Sequence, residues 1–322
     1  MAGIKAADLQ YVLNSVPLPV YQRTYNLQTE LIDVFGGFKR AQKARIQIPM
    51  HTAGNSTASS FGEGDTITTA GKQTRKLEEL SWKRYFVTTS VDGLQEAIAA
   101  LGGVINIKNM QVAESQDAVK DLLKKINTDL LGDGTGNSNK AIYGIQYHVD
   151  DDNTWAGRDR SSATYSYLRS YMSENGGTAR SLTKALMTTV GDTLIDSRES
   201  NYDVLLASRS AYNAYEDLFG DKTRYVNVQI GDLKMNTLLF DNRPVVPIPG
   251  LDDAIYFLNR GEWRLEFLPQ PTLDSYGRQI SGPFKVEPYH PGTDDATFTI
   301  MIYAQLICVN PWHQGKLGDL DV

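Results

Sequence analysis

Hydrophobic and polar positions along the chain change period several times, and each change marks an element. In "RIQIPM" Ile46 and Ile48 share one face, which predicts a strand. In "WKRYFVTTS" Trp82, Arg84, Phe86 and Thr88 alternate with Lys83, Tyr85 and Val87, a second strand. Its two faces differ little in polarity, so it is expected to meet something on both sides. Between these strands runs "MHTAGNSTASSFGEGDTITTAGKQTRKLEEL", Met50 to Leu80, polar and rich in Gly, Ser and Thr. A loop of that length in a compact domain usually has a use. The reading here is a long polar hairpin.

After Asp92, a possible N-cap, "DGLQEAIAALGG" predicts a short helix stopped at Gly102 and Gly103. "NIKNMQVAESQDAVKDLLKKINTDLLGDG" then lacks Pro, and Gly until its end. Val119, Leu122, Leu123, Ile126 and Leu130 recur at helical spacing, with Glu114, Asp117, Lys120, Asp121, Lys124 and Lys125 on the polar side. Such a helix is roughly 40 Å long, a strut rather than a small packing element. Ahead of the hairpin, residues 1 to about 40 read as an extended arm, because the prolines of "VPLPVYQ" oppose helix.

In the second half, "SLTKALMTTVGDTLIDSR" predicts an amphipathic helix capped by Ser181, with Leu182, Leu186, Val190 and Leu194 as its stripe. "YDVLLAS" reads as a buried strand and "SRSAYNAYEDLF" as another helix. "RPVVPIPGLDDAIYFLNRGEWRLEFL" reads as strands joined by tight turns, and "DDATFTIMIYAQLICV" as a long closing strand. Strands between helices, then a strand-rich end, give an α+β class.

Composition narrows the function. The 322 residues are 41% hydrophobic and 22% charged, an ordinary globular balance. Net charge −6 opposes a protein that holds nucleic acid by charge neutralisation. No apolar run is long enough to span a membrane, and "MAGIKAADLQYVLNSVPLPV" has no signal-peptide core. The single cysteine, Cys308, excludes an internal disulfide and a multi-cysteine zinc site, and reads as a buried inert thiol.

Candidate chemistry is thin. "GDGTGNSN" closes a helix, so the dipole's negative end faces it and disfavours phosphate. As a calcium loop it has Ser138 and Gly144 where an EF-hand needs Gly and Glu. A helix stop and turn is the expected reading, with Gly132, Gly134, Gly136 and Gly144 as its structural glycines. Asp150, Asp151 and Asp152 are read as a solvated loop, because successive side chains diverge. His51, His148, His290 and His313 lie in no ligand or catalytic spacing. No catalytic residue, cofactor or metal is therefore assigned.

Taken in order, these pieces resemble the major capsid protein of tailed bacteriophages, with the Hong Kong 97-like capsid fold. "SVPLPVYQRTYNLQTELIDVF" is similar to that family's N-terminal arm, and the polar hairpin to its extended E-loop. The helix from about Val104 to Leu131 resembles the spine helix of its peripheral domain. "LLGDGTGNSNKAIYGI" resembles the turn after that spine, "YDVLLASRSAYNAYEDL" the strand and helix of the axial domain, and "YAQLICVNPWHQGKL" its closing strand. The resemblance spans essentially the whole chain.

It implies an arm over 1–44 and an E-loop over 45–90. A peripheral domain would cover 91–140 and about 270–300. An axial domain with a central sheet and flanking helices would cover 141–269 and about 301–322. It implies a structural protein without enzyme activity, self-assembling as hexamers and pentamers into an icosahedral shell around double-stranded DNA bound without sequence preference. Assembly is expected in the host cytoplasm, with the virion as destination and no membrane partner. Portal and decoration proteins are expected partners, and since Met1 stands almost at the arm, scaffolding would be a separate protein or absent. Expected contacts between copies join Lys72, Arg75 and Lys76 of the hairpin limb to Glu114, Asp117 and Asp121 of a neighbour's spine, with Trp82 and Arg84 as further candidate contact residues. The alternatives are an encapsulin-like protein cargo shell, which shares the fold, and a hydrolase whose site the sequence does not reveal.

Overall fold

A computed structural model describes residues 6–15, 30–53, 57–66, 74–92, 104–218, 226–230, 233–273, 279–289 and 296–322. The helix expected over 92–103 and the proline-rich segment "VPLPVYQ" lie outside the described residues.

The chain opens with helix α1 (Ala6–Ser15), then α2 (Glu30–Val34) and the short strand β1 (Phe38–Arg40). The first part of the expected extended arm is thus helical. Leu9 and Leu13, one turn apart, are fully buried in the main core. On the same helix, the Asn14 side chain accepts from the Phe284 amide and donates to its carbonyl, while Gln10 accepts from the Val286 amide. Two amide side chains thereby serve the strand edge where a further strand would otherwise sit.

Strands β2 (Ile46–Ala53) and β3 (Thr74–Leu80) form the hairpin, antiparallel from Ile46 opposite Leu80 to Met50 opposite Lys76. Its return limb therefore lies inside the polar run. The expected partner, β4 (Lys83–Val91), belongs to a different sheet. Helix α3 (Val104–Asp129) is the long strut, and Val119, Leu122, Leu123, Ile126 and Leu130 are all buried along it. A single turn, α4 (Ile145–His148), follows.

The second half supplies β5 (Tyr171–Ser173), α5 (Lys184–Asp192), β6 (Val204–Ala207), α6 (Arg209–Asp217), β7 (Val226–Ile230), β8 (Leu233–Phe240), β9 (Arg243–Pro247) and β10 (Ile255–Leu258). It ends with β11 (Trp263–Phe267), β12 (Phe284–Tyr289), β13 (Ala296–Cys308) and β14 (Gly315–Leu317). Thr183, not Ser181, caps α5, its side chain accepting from the Leu186 amide. Ser208 caps α6 in the same way. Both satisfy an amide that helix geometry leaves open.

Two sheets organise the molecule. One runs β1-β11-β13-β12, with β4 also paired to β13. Residues 296–304 of β13 pair with β4, and 304–308 pair with β11, so one long strand joins the hairpin root to the rest of the chain. The other sheet runs β5-β14-β10-β6-β9-β8-β7. Its centre, β6, is buried on both faces, as the unbroken apolar run "VLLA" requires. The first sheet packs on α1 and α3 around Leu265, Phe284, Ile300 and Ile302, all fully buried. α5 and α6 pack on the second around Met187, Val190, Ala211 and Phe257.

Candidate assembly surface

The hairpin is anchored at its root. Ile46, Ile48 and Met50 alternate inward with Leu80 and pack on Tyr147, Trp155, Leu168 and Ile307. Trp82 Nε1 donates to the Ala44 carbonyl at 2.8 Å. Glu78, only 1% exposed, accepts from Arg158 at 2.9 Å. The Lys76 ammonium sits 5.0 Å over the Tyr165 ring and 5.9 Å over Tyr167. The side chains from Met50 and Lys76 downward therefore belong to the chain's own body.

Beyond the root the character changes. Residues 57–66 are exposed or half-buried, and Phe61 is 70% exposed. The Gly62 amide donates to Asp65 Oδ2 at 2.6 Å, a local turn within the exposed stretch.

Below the root, β4 meets the end of the strut. Tyr85 donates from its hydroxyl to Asp129 and accepts from the Ile142 amide, both at 2.8 Å. Burial pushes its phenol well above the ordinary range, so it stays protonated. Lys83 donates to the Asn139 carbonyl at 2.7 Å and lies 4.1 Å over Tyr143. Only one face of β4 is covered within the described chain: Lys83, Tyr85 and Val91 are buried, whereas Arg84, Phe86, Thr88 and Ser90 are exposed, Phe86 to 70%, so the contact on both sides that the sequence led us to expect is not made here.

The glycine-rich turn is a helix stop. Gly134 has φ +81° and lies so close to Tyr143 that a Cβ would meet its ring at 2.5 Å. A Cβ at Gly144 would fall 2.4 Å from the carbonyl oxygens of Leu130 and Gly132. Gly132 has ordinary space, and a Cβ at Gly136 would stand 3.2 Å from that of Ala141. Asp133 accepts from the Thr135 hydroxyl and amide, which hold its carboxyl below the usual range.

A buried polar knot ties α4 to the closing strand. His148 is fully buried. Trp155 Nε1 donates to its Nδ1 at 2.9 Å, so the proton sits on Nε2, 3.0 Å from the Leu306 carbonyl. Arg160, also buried, donates to the carbonyls of Tyr147, His148 and Asp150, capping the negative end of α4. Burial, then the Arg160 charge, lowers His148 from 6.5 to about 3, and burial lowers Arg160 to about 10. His148 has no ligand or catalytic spacing in the sequence and Tyr85 reads there only as a strand position, while Arg160 and Glu78 carry no assigned role. The one signal was a set of polar residues inside aromatic-rich stretches.

Of the expected contact residues, Arg75 is exposed and Lys76 covers its own chain's tyrosines. Lys72 lies outside the described residues. Trp82 braces the root, and Arg84 is exposed, 5.9 Å from the Tyr303 ring. Glu114, Asp117 and Asp121 are exposed along α3, and no ion pair joins them to Arg75 or Lys76 within the described chain. The carboxylates of Asp150, Asp151 and Asp152 converge within 4.8 Å rather than diverging. The turn responsible is built by Asp150 Oδ1, which accepts from the amides of Asp152 and Asn153. Cys308 is buried, with its thiol pushed well up by desolvation. Among the described residues no helix is long and apolar enough to cross a membrane.

The chain shares this architecture with solved shell proteins. The capsid asymmetric unit of cyanophage A-1(L) aligns over 91% of this chain and 93% of its own, with TM-score 0.68 and 19% identity. The capsid of the empty GTA particle aligns over 90% and 89%, with TM-score 0.59 and 8% identity. The SrpI encapsulin of Synechococcus elongatus PCC 7942 aligns over 88% and 85%, with TM-score 0.55 and 12% identity. At these identities the likeness shows the fold, the Hong Kong 97-like one. No curated protein matches the sequence. The family model of the SU10 major capsid protein matches residues 25–306, and with that span the chain belongs to the SU10 major capsid protein family, the shell-forming structural proteins of the virion.

Proposed function

We propose that the chain assembles as hexamers and pentamers into a closed icosahedral shell around double-stranded DNA, and that the distal hairpin completes its fold on a neighbouring copy. The observation carrying this reading is the contrast along the hairpin. Its root is fastened by Glu78, Lys76 and Trp82, whereas residues 58–66 are all exposed and carry Phe61, 70% exposed. With the root fixed to Met50 and Lys76, the free limb reaches roughly 40 Å, not the 70 Å or so of an unanchored one. That still crosses the width of a helix and sheet in an adjacent subunit. A segment of this composition gains its ordering energy only on docking.

In this reading α3 and the sheet around β13 form the peripheral body, and the seven-stranded sheet forms the axial one. The arm and hairpin are proposed as drawn from the sequence, while the peripheral body also takes in β4, β11 and the end of β13, which that division had placed in the E-loop and the axial domain. The pairing of Arg75 and Lys72 with a neighbour's Glu114, Asp117 and Asp121 is also proposed, as are a separate scaffolding protein, portal and decoration proteins as partners. Each exposed charge pair contributes only ~0.2–1 kcal/mol. Repetition around a ring makes the sum significant.

Deleting residues 54–73, which spares the anchored root, tests the proposal. A folded subunit that no longer closes shells is expected by electron microscopy. Normal particles would overturn the hairpin's role. Nuclease-treated particles separate the contents: protected DNA supports the proposal, and an enclosed enzyme supports a cargo compartment instead.

A further inference from the structure

An unusual concentration of positive charge surrounds one concavity of about 260 Å³ between the hairpin root and β11. Lys39, Arg40, Lys43, Arg45 and Arg264 line it, in a chain whose net charge is −6. Four of these cations fall in the seven-residue stretch "KRAQKAR". Lys39 and Arg40 stand on β1, an open edge strand, where basic residues commonly serve to block pairing with another sheet. That reading does not extend to Lys43, Arg45 or Arg264, which lie off the edge.

The cations are poorly neutralised. Arg264 reaches Glu266 only at 3.7 Å, and Arg45 reaches Glu79 only at 3.8 Å, both longer than a charge-assisted hydrogen bond. Lys39, Arg40 and Lys43 make no ion pair among the described residues. The backbone that carries them is held in place, while their side chains are exposed. The Ala41 amide donates to the Phe267 carbonyl at 2.9 Å, and the Ala44 carbonyl accepts from Trp82 at 2.8 Å. Two tethers thus fix the bend that carries Lys43 and Arg45. Buried Ile46 and Ile307 border the site, a low-dielectric wall that strengthens the field of the charges above it.

We propose that this concavity binds phosphodiester groups of a nucleic acid. Arg40, Arg45 and Arg264 line one small hollow with Glu266 as the one carboxylate among its lining residues, guanidinium forks match the paired oxygens of a phosphate, and the Gln42 and Gln47 amides beside them add neutral donors. The acidic face of a second copy fits less well. Glu114, Asp117 and Asp121 are spread along roughly 10 Å of a helical rod and cannot converge into a hollow this small. The choice of a phosphate polymer as occupant rests on the proposed shell function; the charge cluster itself does not. The chain's acidic average conceals a local site that net charge alone would exclude.

The test is binding of a fluorescent 20-base-pair duplex to the unassembled full chain across a salt series, with particle formation followed in parallel. Five participating cations predict a log–log salt slope of roughly −4.5. The triple variant Lys39→Gln/Arg40→Gln/Lys43→Gln should weaken binding at least tenfold at low salt and flatten the slope by about 2 to 3. The charge-matched variant Lys124→Gln/Lys125→Gln/Lys184→Gln should leave both nearly unchanged. Equal losses in the two variants, or wild-type binding by the first, would overturn the proposal. So would displacement of the duplex by inorganic phosphate at matched ionic strength, which would make free phosphate the ligand. If the first variant binds duplex normally and no longer forms particles, the face is an interface between copies and the proposal fails. Failure of the wild-type chain to form particles counts against the shell reading alone.

Discussion

Acidification should destabilise the subunit through His148, and the size of the effect follows from its surroundings. The ring is fully buried, accepts from Trp155 at Nδ1 and donates from Nε2 to Leu306. Adding a proton at Nδ1 sets two donors against each other and places a charge beside Arg160. The folded ring therefore titrates near about 3 against an ordinary 6.5. Between those values the unfolded chain holds a proton that the folded chain does not, so stability is full above pH 6.5 and falls with pH until the folded ring titrates. Each pH unit inside the window costs at most about 1.4 kcal/mol, so a descent from pH 7.5 to 5.0 removes about 2 kcal/mol through this residue. The assay is denaturant unfolding of the unassembled subunit against pH, wild type beside His148→Gln. The variant starts less stable, but its deficit should shrink by about 2 kcal/mol across that range. A difference that stays constant from pH 7.5 to 5.0 would refute the reasoning.

Four further outcomes are expected. Tyr85→Phe leaves the buried Ile142 amide without its acceptor and Asp129 with Lys125 as its remaining side-chain donor, and should cost roughly 1–3 kcal/mol in the same unfolding measurement. Gly144→Ala drives a methyl into two carbonyl oxygens and should cost at least about 1–3 kcal/mol, whereas Gly62→Ala, whose nearest contact stands at 3.4 Å, should be nearly neutral. Arg158→Ala strands the Glu78 carboxylate and should speed amide exchange across residues 77–80; adding Glu78→Gln should partly reverse this, and equal exchange in all three proteins would remove the clamp. Cys308 should resist a thiol reagent in the native subunit and react fully after denaturation; rapid native labelling would contradict its burial.

How much of this was legible depends on whether the deciding interactions are local. The strut's stripe of Val119, Leu122, Leu123, Ile126 and Leu130 was readable because a helix buries positions its own period selects. The run "VLLA" of β6 was readable for the same reason. The hairpin's return limb was not. In "TRKLEEL" Leu77 is 55% exposed while Glu78 is buried against Arg158, an inversion that hides the strand period. β4 alternates clearly, yet its partner is residues 296–304, more than two hundred positions away, and no local signal identifies it. α1 carried a helical Leu9–Leu13 spacing that the prolines after it outweighed in the reading. The convergence of Asp150, Asp151 and Asp152 follows from an aspartate turn, which residue order alone does not reveal. The contact residues suffered most, because the partner of an intermolecular surface lies on another chain. Only the structure showed that Lys76 is occupied by Tyr165 and Tyr167 and that weakly neutralised cations at residues 39–45 line one hollow with Arg264.

Electron cryo-microscopy of the purified, expressed chain tests the central claim most directly. The account predicts closed icosahedral shells built of hexamers and pentamers, with density for residues 54–73 lying on an adjacent subunit. A chain that remains a stable monomer, or shells in which that hairpin folds back on its own subunit, would contradict it.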